Sequence, residues 1–129
     1  MRIFKNKWFA RFAIKNDVSD GKLLKAVEEA ENGNIDADLG GGLIKKRIAR
    51  GGEGKRGGFR TIIAYRRGDW AFFVYGFPKN VADNIDEKDL AALKRLAGIY
   101  GNLSDVEITE AVDHGILTEV YKDVQKVQK

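Results

Sequence analysis

The sequence contains no cysteine. Disulfide scaffolds, cysteine nucleophiles and thiolate metal sites are excluded together. Histidine is almost as scarce. His114 stands alone, which excludes a multi-histidine zinc centre and leaves a Ser/His triad dependent on that one residue. Proline occurs once, at Pro78. No apolar run approaches the roughly 20 residues that a membrane-spanning helix needs. The opening Met1-Arg2-Ile3-Phe4-Lys5 has no apolar stretch of signal-peptide length, so export is not expected. These absences leave a cytoplasmic soluble domain as the default.

The 129 residues, 43% hydrophobic and 33% charged, carry enough apolar material for one core and too much for a disordered chain. A single domain over residues 1–129 is expected, with 121–129 as a frayed tail. The net charge of +4 is unevenly distributed. Residues 1–40 hold seven basic and seven acidic side chains. Residues 41–79 hold ten basic side chains (Lys45, Lys46, Arg47, Arg50, Lys55, Arg56, Arg60, Arg66, Arg67, Lys79) against Glu53 and Asp69 alone, a net +8. Residues 80–123 return −6. A concentrated basic block in a small chain is the electrostatic footprint of a polyanion binder. Its structural alternative is a solvated strand face whose cations guard an edge.

Periodicity predicts an α+β order. Asn6 caps a helix from Lys7 to about Lys15, with Trp8, Phe9, Phe12 and Ala13 as its core stripe. Ser19 or Asp20 caps a second helix, which carries Leu23, Leu24, Val27 and Ala30 and stops at Gly33. Asn34 to Gly42 reads as a loop. Leu43–Arg50, Phe59–Arg67 and Trp70–Phe77 read as strands, the last apolar on both faces and ended by Pro78. Arg67-Gly68-Asp69-Trp70 signals a two-residue hairpin. Asp86 caps a helix to about Tyr100, and Ser104-Asp105-Val106-Glu107 is a capping box for one more. Ile116–Tyr121 can add a short edge strand. His114 fits the C-terminal cap of the last helix better than a catalytic role.

Gly52-Glu53-Gly54-Lys55-Arg56-Gly57 matches G-x-G-x-x-G, yet it leads into the strand-like Phe59–Ile63 rather than a helix. A dinucleotide fingerprint requires the helix, so the stretch reads as a flexible hairpin loop whose Lys55 and Arg56 can fold over a phosphate backbone. On the strands, Ile44 and Ile48 facing the core would place Lys45 and Arg47 on the other face. Phe59, Thr61, Ile63 and Tyr65 share one face of the next strand, and Arg60, Ile62, Ala64 and Arg66 the other. An arginine at such a position marks a ligand or an ion pair. The scarcity of carboxylates on these strands favours an anionic ligand. Asp36, Asp38 and Glu53 are too scattered for a carboxylate metal site.

Two helices followed by a three-stranded meander, with Gly58-Phe59-Arg60 opening its second strand, resemble the RelE/HigB toxins of the RelE/ParE superfamily. Arg60 to Asn80 is similar to the core of a HigB-like subgroup. That subgroup also shows the pattern Phe4-Lys5-Asn6-Lys7-Trp8-Phe9. The loop Ile35–Gly42 and the helix Asp89–Lys94 fit as well, and the resemblance covers about residues 3–100. It implies a RelE-like small antiparallel sheet with two N-terminal helices and C-terminal helices.

The resemblance further implies a bacterial toxin of a type II toxin–antitoxin pair, a ribosome-dependent endoribonuclease that cuts mRNA and inhibits translation. The family reaction is metal-independent attack of the ribose 2′-hydroxyl on the adjacent phosphate, so no cofactor is expected. Cationic stabilisation of the phosphorane and proton transfer suit a lysine- and arginine-rich site. Arg60 best matches the family's second-strand arginine, and Lys45 and Arg47 its first-strand pair, with Lys79 completing the catalytic candidates. A one-residue slip would substitute Lys46 and Arg50. Lys46, Arg50, Lys55, Arg56, Arg66, Asn80 and Asn84 are candidates for RNA contact. Val81-Ala82-Asp83-Asn84-Ile85 lacks the late arginine and tyrosine of better-known members. The expected partners are a cognate helix-turn-helix antitoxin, the ribosome and mRNA. Two alternatives remain: a non-catalytic toxin fold acting on a protein such as DNA gyrase, and a simple RNA-binding module. Nothing in the sequence sets the oligomeric state.

Overall fold

The computed structural model describes residues 1–50, 54–78 and 85–121, and only the backbone at Arg50 and residues 54–57. The elements run β1 (Arg2–Asn6), α1 (Lys7–Lys15), α2 (Asp20–Glu31), β2 (Ala37–Gly40), β3 (Leu43–Arg50), β4 (Gly54–Arg66), β5 (Trp70–Pro78), α3 (Glu87–Gly101), α4 (Asp105–Asp113) and β6 (Leu117–Val120). One sheet of order β2-β3-β4-β5-β1-β6 carries all six strands.

The helix starts follow their predicted caps. Asn6 Oδ1 accepts from the Phe9 N–H at 2.8 Å, and Ser19 and Asp86 cap α2 and α3 in the same way. Ser104 and Glu107 form the reciprocal box that begins α4, and His114 is its C-cap, with Nδ1 2.8 Å from the Glu110 carbonyl.

The sheet separates two apolar layers. Phe9, Ala13, Leu23, Val27 and Ala30 of α1 and α2 pack on Ile44, Ile48, Phe59, Ile63 and Phe73. On the opposite face Ala97, Tyr100 and Ile108 of α3 and α4 pack on Leu43, Ile62, Ala64, Trp70 and Phe72. Phe72 stacks between Phe4, at 4.8 Å, and Tyr100, at 4.5 Å. As predicted for a central strand, β5 is buried on both faces.

The structure corrects the sequence reading in five places. The N-terminus forms β1, which lies between β5 and β6 and runs parallel to β5. The sheet is therefore mixed, although every other pair is antiparallel. The stretch read as a loop before Gly42 contains β2, which pairs with β3. Arg66 pairs directly with Trp70, so the hairpin loop has three residues, 67–69, with Gly68 at φ 75°. The strand β4 begins at Gly54, which pairs with Arg50 beyond an irregularity, so most of the glycine-rich stretch belongs to the strand rather than to a loop. Trp8 is exposed instead of joining the core stripe of α1. The predicted tail lies outside the described residues beyond 121. Among the described residues, no helix is long and apolar enough to cross a membrane.

Candidate nucleic-acid interface

Alternation along β3 divides its basic residues between the two faces of the sheet. Ile44 and Ile48 face α2, and Lys46 lies between them. Its ammonium meets Glu29 of α2 at 2.8 Å, and the side chain is 2% exposed. Thr61, its ladder partner, donates to the Lys46 carbonyl at 2.7 Å on the same buried side. Lys46 is therefore a structural ion-pair residue and is withdrawn from the RNA-contacting set.

Lys45 and Arg47 alternate to the other face, where Ile62 and Arg60 are their respective partners. Arg47 and Arg60 stand directly opposite one another. On its other side Arg60 pairs with Phe77, and it is 7% exposed. Like charges placed directly opposite one another oppose strand pairing. A cation this sheltered ordinarily has a carboxylate partner. Among the described residues none of the ion pairs includes Arg60, and neither α3 nor α4 supplies it with an acid. The predicted trio Lys45, Arg47 and Arg60 is thus brought together on one face, with the arginines about 5 Å apart at the backbone.

Asp36 organises the edge of this face, a role that sequence reading missed. Its backbone N–H donates to the Lys45 carbonyl at 3.0 Å, and its carboxylate accepts from the Arg47 N–H at 2.6 Å. The same carboxylate lies 3.6 Å from Arg47 Nε, a loose pair with both side chains partly in solvent. Asp36 precedes β2 and lies eleven positions before Arg47, so only the β2–β3 turn brings them together.

Arg66 shares a strand face with Arg60 but lies six positions further along β4, about 20 Å at the usual rise. Its guanidinium covers the Trp70 ring at 4.8 Å and approaches Asp69 at 3.5 Å. It belongs to the hairpin end and not to the basic trio. Tyr65 also turns away from the trio. Its hydroxyl donates to the Glu31 carboxylate, which also accepts from the Gly68 N–H at 3.0 Å. Burial and this bond hold the Tyr65 phenol above its ordinary value. The bond from Tyr65, then that from Gly68, holds Glu31 below the usual carboxylate range.

Lys79, Asn80 and Asn84 lie outside the described residues, as do the side chains of Arg50, Lys55 and Arg56. Among the described residues no group of three or more histidines and carboxylates is placed to hold a metal ion. No curated protein sequence matches the chain. The family model described as the RelE toxin of the RelE / RelB toxin-antitoxin system matches residues 1–120. The α+β architecture agrees with that match, and the chain belongs to the RelE toxin family, the toxin side of a toxin–antitoxin system.

Proposed function

We propose that this toxin is an mRNA endoribonuclease that acts at the ribosome and inhibits translation, and that it works in the cytoplasm. The observation that carries the reading is the sheltered Arg60, which faces a second arginine across the ladder and has no carboxylate partner among the described residues. A phosphate between the two guanidinium groups would give Arg60 its counter-charge and be held by Arg47 as well. In the proposed reaction the ribose 2′-oxygen attacks the adjacent phosphorus, and its proton passes to a base. The bond to the 5′-oxygen breaks, leaving a 2′,3′-cyclic phosphate and a protonated 5′-hydroxyl. Arg60 binds the non-bridging oxygens as charge grows on them, from a recessed position where water screens the contact least. Arg47 secures the phosphate from the rim, and Lys45, on the same face, takes part in proton transfer. Lys79 remains a proposed fourth cation. Arg50, Lys55, Arg56, Asn80 and Asn84 are proposed to track the RNA on either side.

The proposed antitoxin is a helix-turn-helix protein that covers this face with acidic or helical segments. Expression of the toxin alone should arrest growth and translation, and co-expression of the antitoxin should restore them. Primer extension on mRNA after induction should show new 5′ ends inside codons. Intact mRNA together with DNA gyrase trapped on cleaved DNA would assign the toxin to the gyrase-poisoning class instead. Normal growth with folded toxin present would overturn both readings.

A further inference from the structure

Trp8 is 38% exposed, yet it is held firmly. Its indole stacks on Phe12 with centroids 5.4 Å apart and an interplanar angle of 14°, and it meets Tyr75 at 4.5 Å. Phe12 is in turn seated edge-on against buried Phe59 at 5.5 Å. Gly76 makes this seat possible, because a Cβ there would lie 2.7 Å from Phe12 Cε2. Trp8 leaves this stack partly open to solvent, in a geometry fixed before any partner arrives.

Trp8, Arg11, Phe12 and Lys15 recur at helical spacing along one stripe of α1. They line an open cavity of about 680 Å³ together with Asn16, Gly76, Phe77 and Pro78. Among the described residues no acidic side chain lines it, and α1 contains none. A fixed aromatic surface flanked by two cations is complementary to an unstacked base with a phosphate on each side. The cavity lies on the α1 side of the sheet and meets the face of Arg60 around the open edge of β5, through Phe77. β1 makes its last pairing with β5 at Phe73, so no described strand flanks β5 beyond that point on this side. Phe77, which lines the cavity, is the ladder neighbour of Arg60.

We propose that Trp8 and Phe12 form a stacking shelf for a base of single-stranded RNA, with Arg11 and Lys15 holding its phosphates. The shelf holds a nucleotide adjacent to the one whose phosphate reaches Arg60. It deepens the ribonuclease reading and rests on it for the identity of the RNA. Its effect is on binding rather than on the chemical step.

The test uses the full chain as wild type, Trp8→Leu, Trp8→Phe and Arg11→Ala, with melting temperatures as folding controls. Each is titrated with a single-stranded RNA oligonucleotide made cleavage-resistant by 2′-O-methylation, and each is assayed for mRNA cleavage on programmed ribosomes. RNA should quench the exposed Trp8 emission, since Trp70 is only 9% exposed. Trp8→Leu should weaken RNA binding by about 5- to 150-fold, the range for one stacked base. It should raise the half-saturating concentration for cleavage while leaving the saturated rate unchanged. Trp8→Phe should retain most of the affinity, and Arg11→Ala should lower the salt slope by about one. Wild-type affinity in a folded Trp8→Leu protein overturns the shelf, and does so whether or not wild type cleaves mRNA. Trp8-dependent RNA binding without any mRNA cleavage keeps the shelf and overturns the nuclease. Quenching by the antitoxin but not by RNA makes this a protein interface and overturns the shelf.

Discussion

Arg47 of β3 and Arg60 of β4 are direct ladder partners, two cations facing each other across antiparallel strands. Such a pair repels in the free protein and becomes favourable when an anion lies between its members. The arrangement exchanges some stability for a preorganised phosphate site.

Arg60→Ala should abolish mRNA cleavage, with a loss of about a hundred- to a thousandfold expected for one preorganised donor to a developing oxyanion. The melting temperature should change little, because lost packing of the buried stem is offset by relief of the repulsion with Arg47. Arg60→Lys should rescue activity poorly, since an ammonium lacks the planar fork. Cleavage rates on programmed ribosomes, paired with thermal melts, check both halves. A large fall in melting temperature would instead make Arg60 an ion-pair partner.

Lys45 and Lys46, adjacent in sequence, should respond in opposite ways. Lys46→Met breaks the buried ion pair with Glu29. It should cost about 2 to 3 kcal/mol, below the cost for a fully buried pair because Glu29 is one-fifth exposed. Cleavage per folded molecule should not change. Lys45→Met should lower cleavage while moving the melting temperature little. Denaturant unfolding and cleavage assays on the same preparations distinguish the two.

Gly76→Ala should displace the Phe12 ring, since the added Cβ would meet three of its carbons at 2.7 to 3.2 Å. Overpacking of this kind costs about 1 to 3 kcal/mol. Trp8 loses its stacking partner, so its accessibility to a collisional quencher should rise. Thermal melts and acrylamide quenching report the two effects.

The Tyr65–Glu31 bond sets a pH window. The carboxyl of Glu31 lies below its ordinary value in the folded chain, so its contribution is present above about pH 4.3 and fades as the pH falls through the folded value. The phenol of Tyr65 lies above its ordinary value, so its contribution is full below about pH 10 and fades as the pH rises further. Tyr65→Phe should reduce the alkaline loss, leaving the part due to Tyr100, whose phenol is also raised by burial, and weaken the acidic one. Unfolding free energies measured from pH 3 to 11 on both proteins provide the comparison.

Much of the fold is legible where the signal is local. Asn6, Ser19, Asp86 and Ser104 cap the helices they were expected to cap, since a cap depends on residues only three positions away. The strand alternation of Ile44 and Ile48 correctly puts Lys45 and Arg47 on the face of Arg60. β1 was not legible, because five residues with two buried ones carry little pattern, and the strand exists only through its partners β5 and β6. Trp8 was misplaced because helical spacing identifies a stripe but not where the sheet beneath it ends.

The sequence by itself determined the helices, the meander, the basic block and the parity of its strands, because propensity, capping and period-two alternation act between near neighbours. Tertiary structure decided the rest. A bulge opposite Ile62 and Ile63 shifts the β4–β5 register by one residue, which places Phe77 beside Arg60 and Gly76 beneath Phe12. Ladder pairing brought Arg47 opposite Arg60 and left Lys46 to Glu29 on the other side of the sheet. These relationships join positions far apart in the chain. Which of them forms depends on register and packing, so no local pattern of residues encodes them.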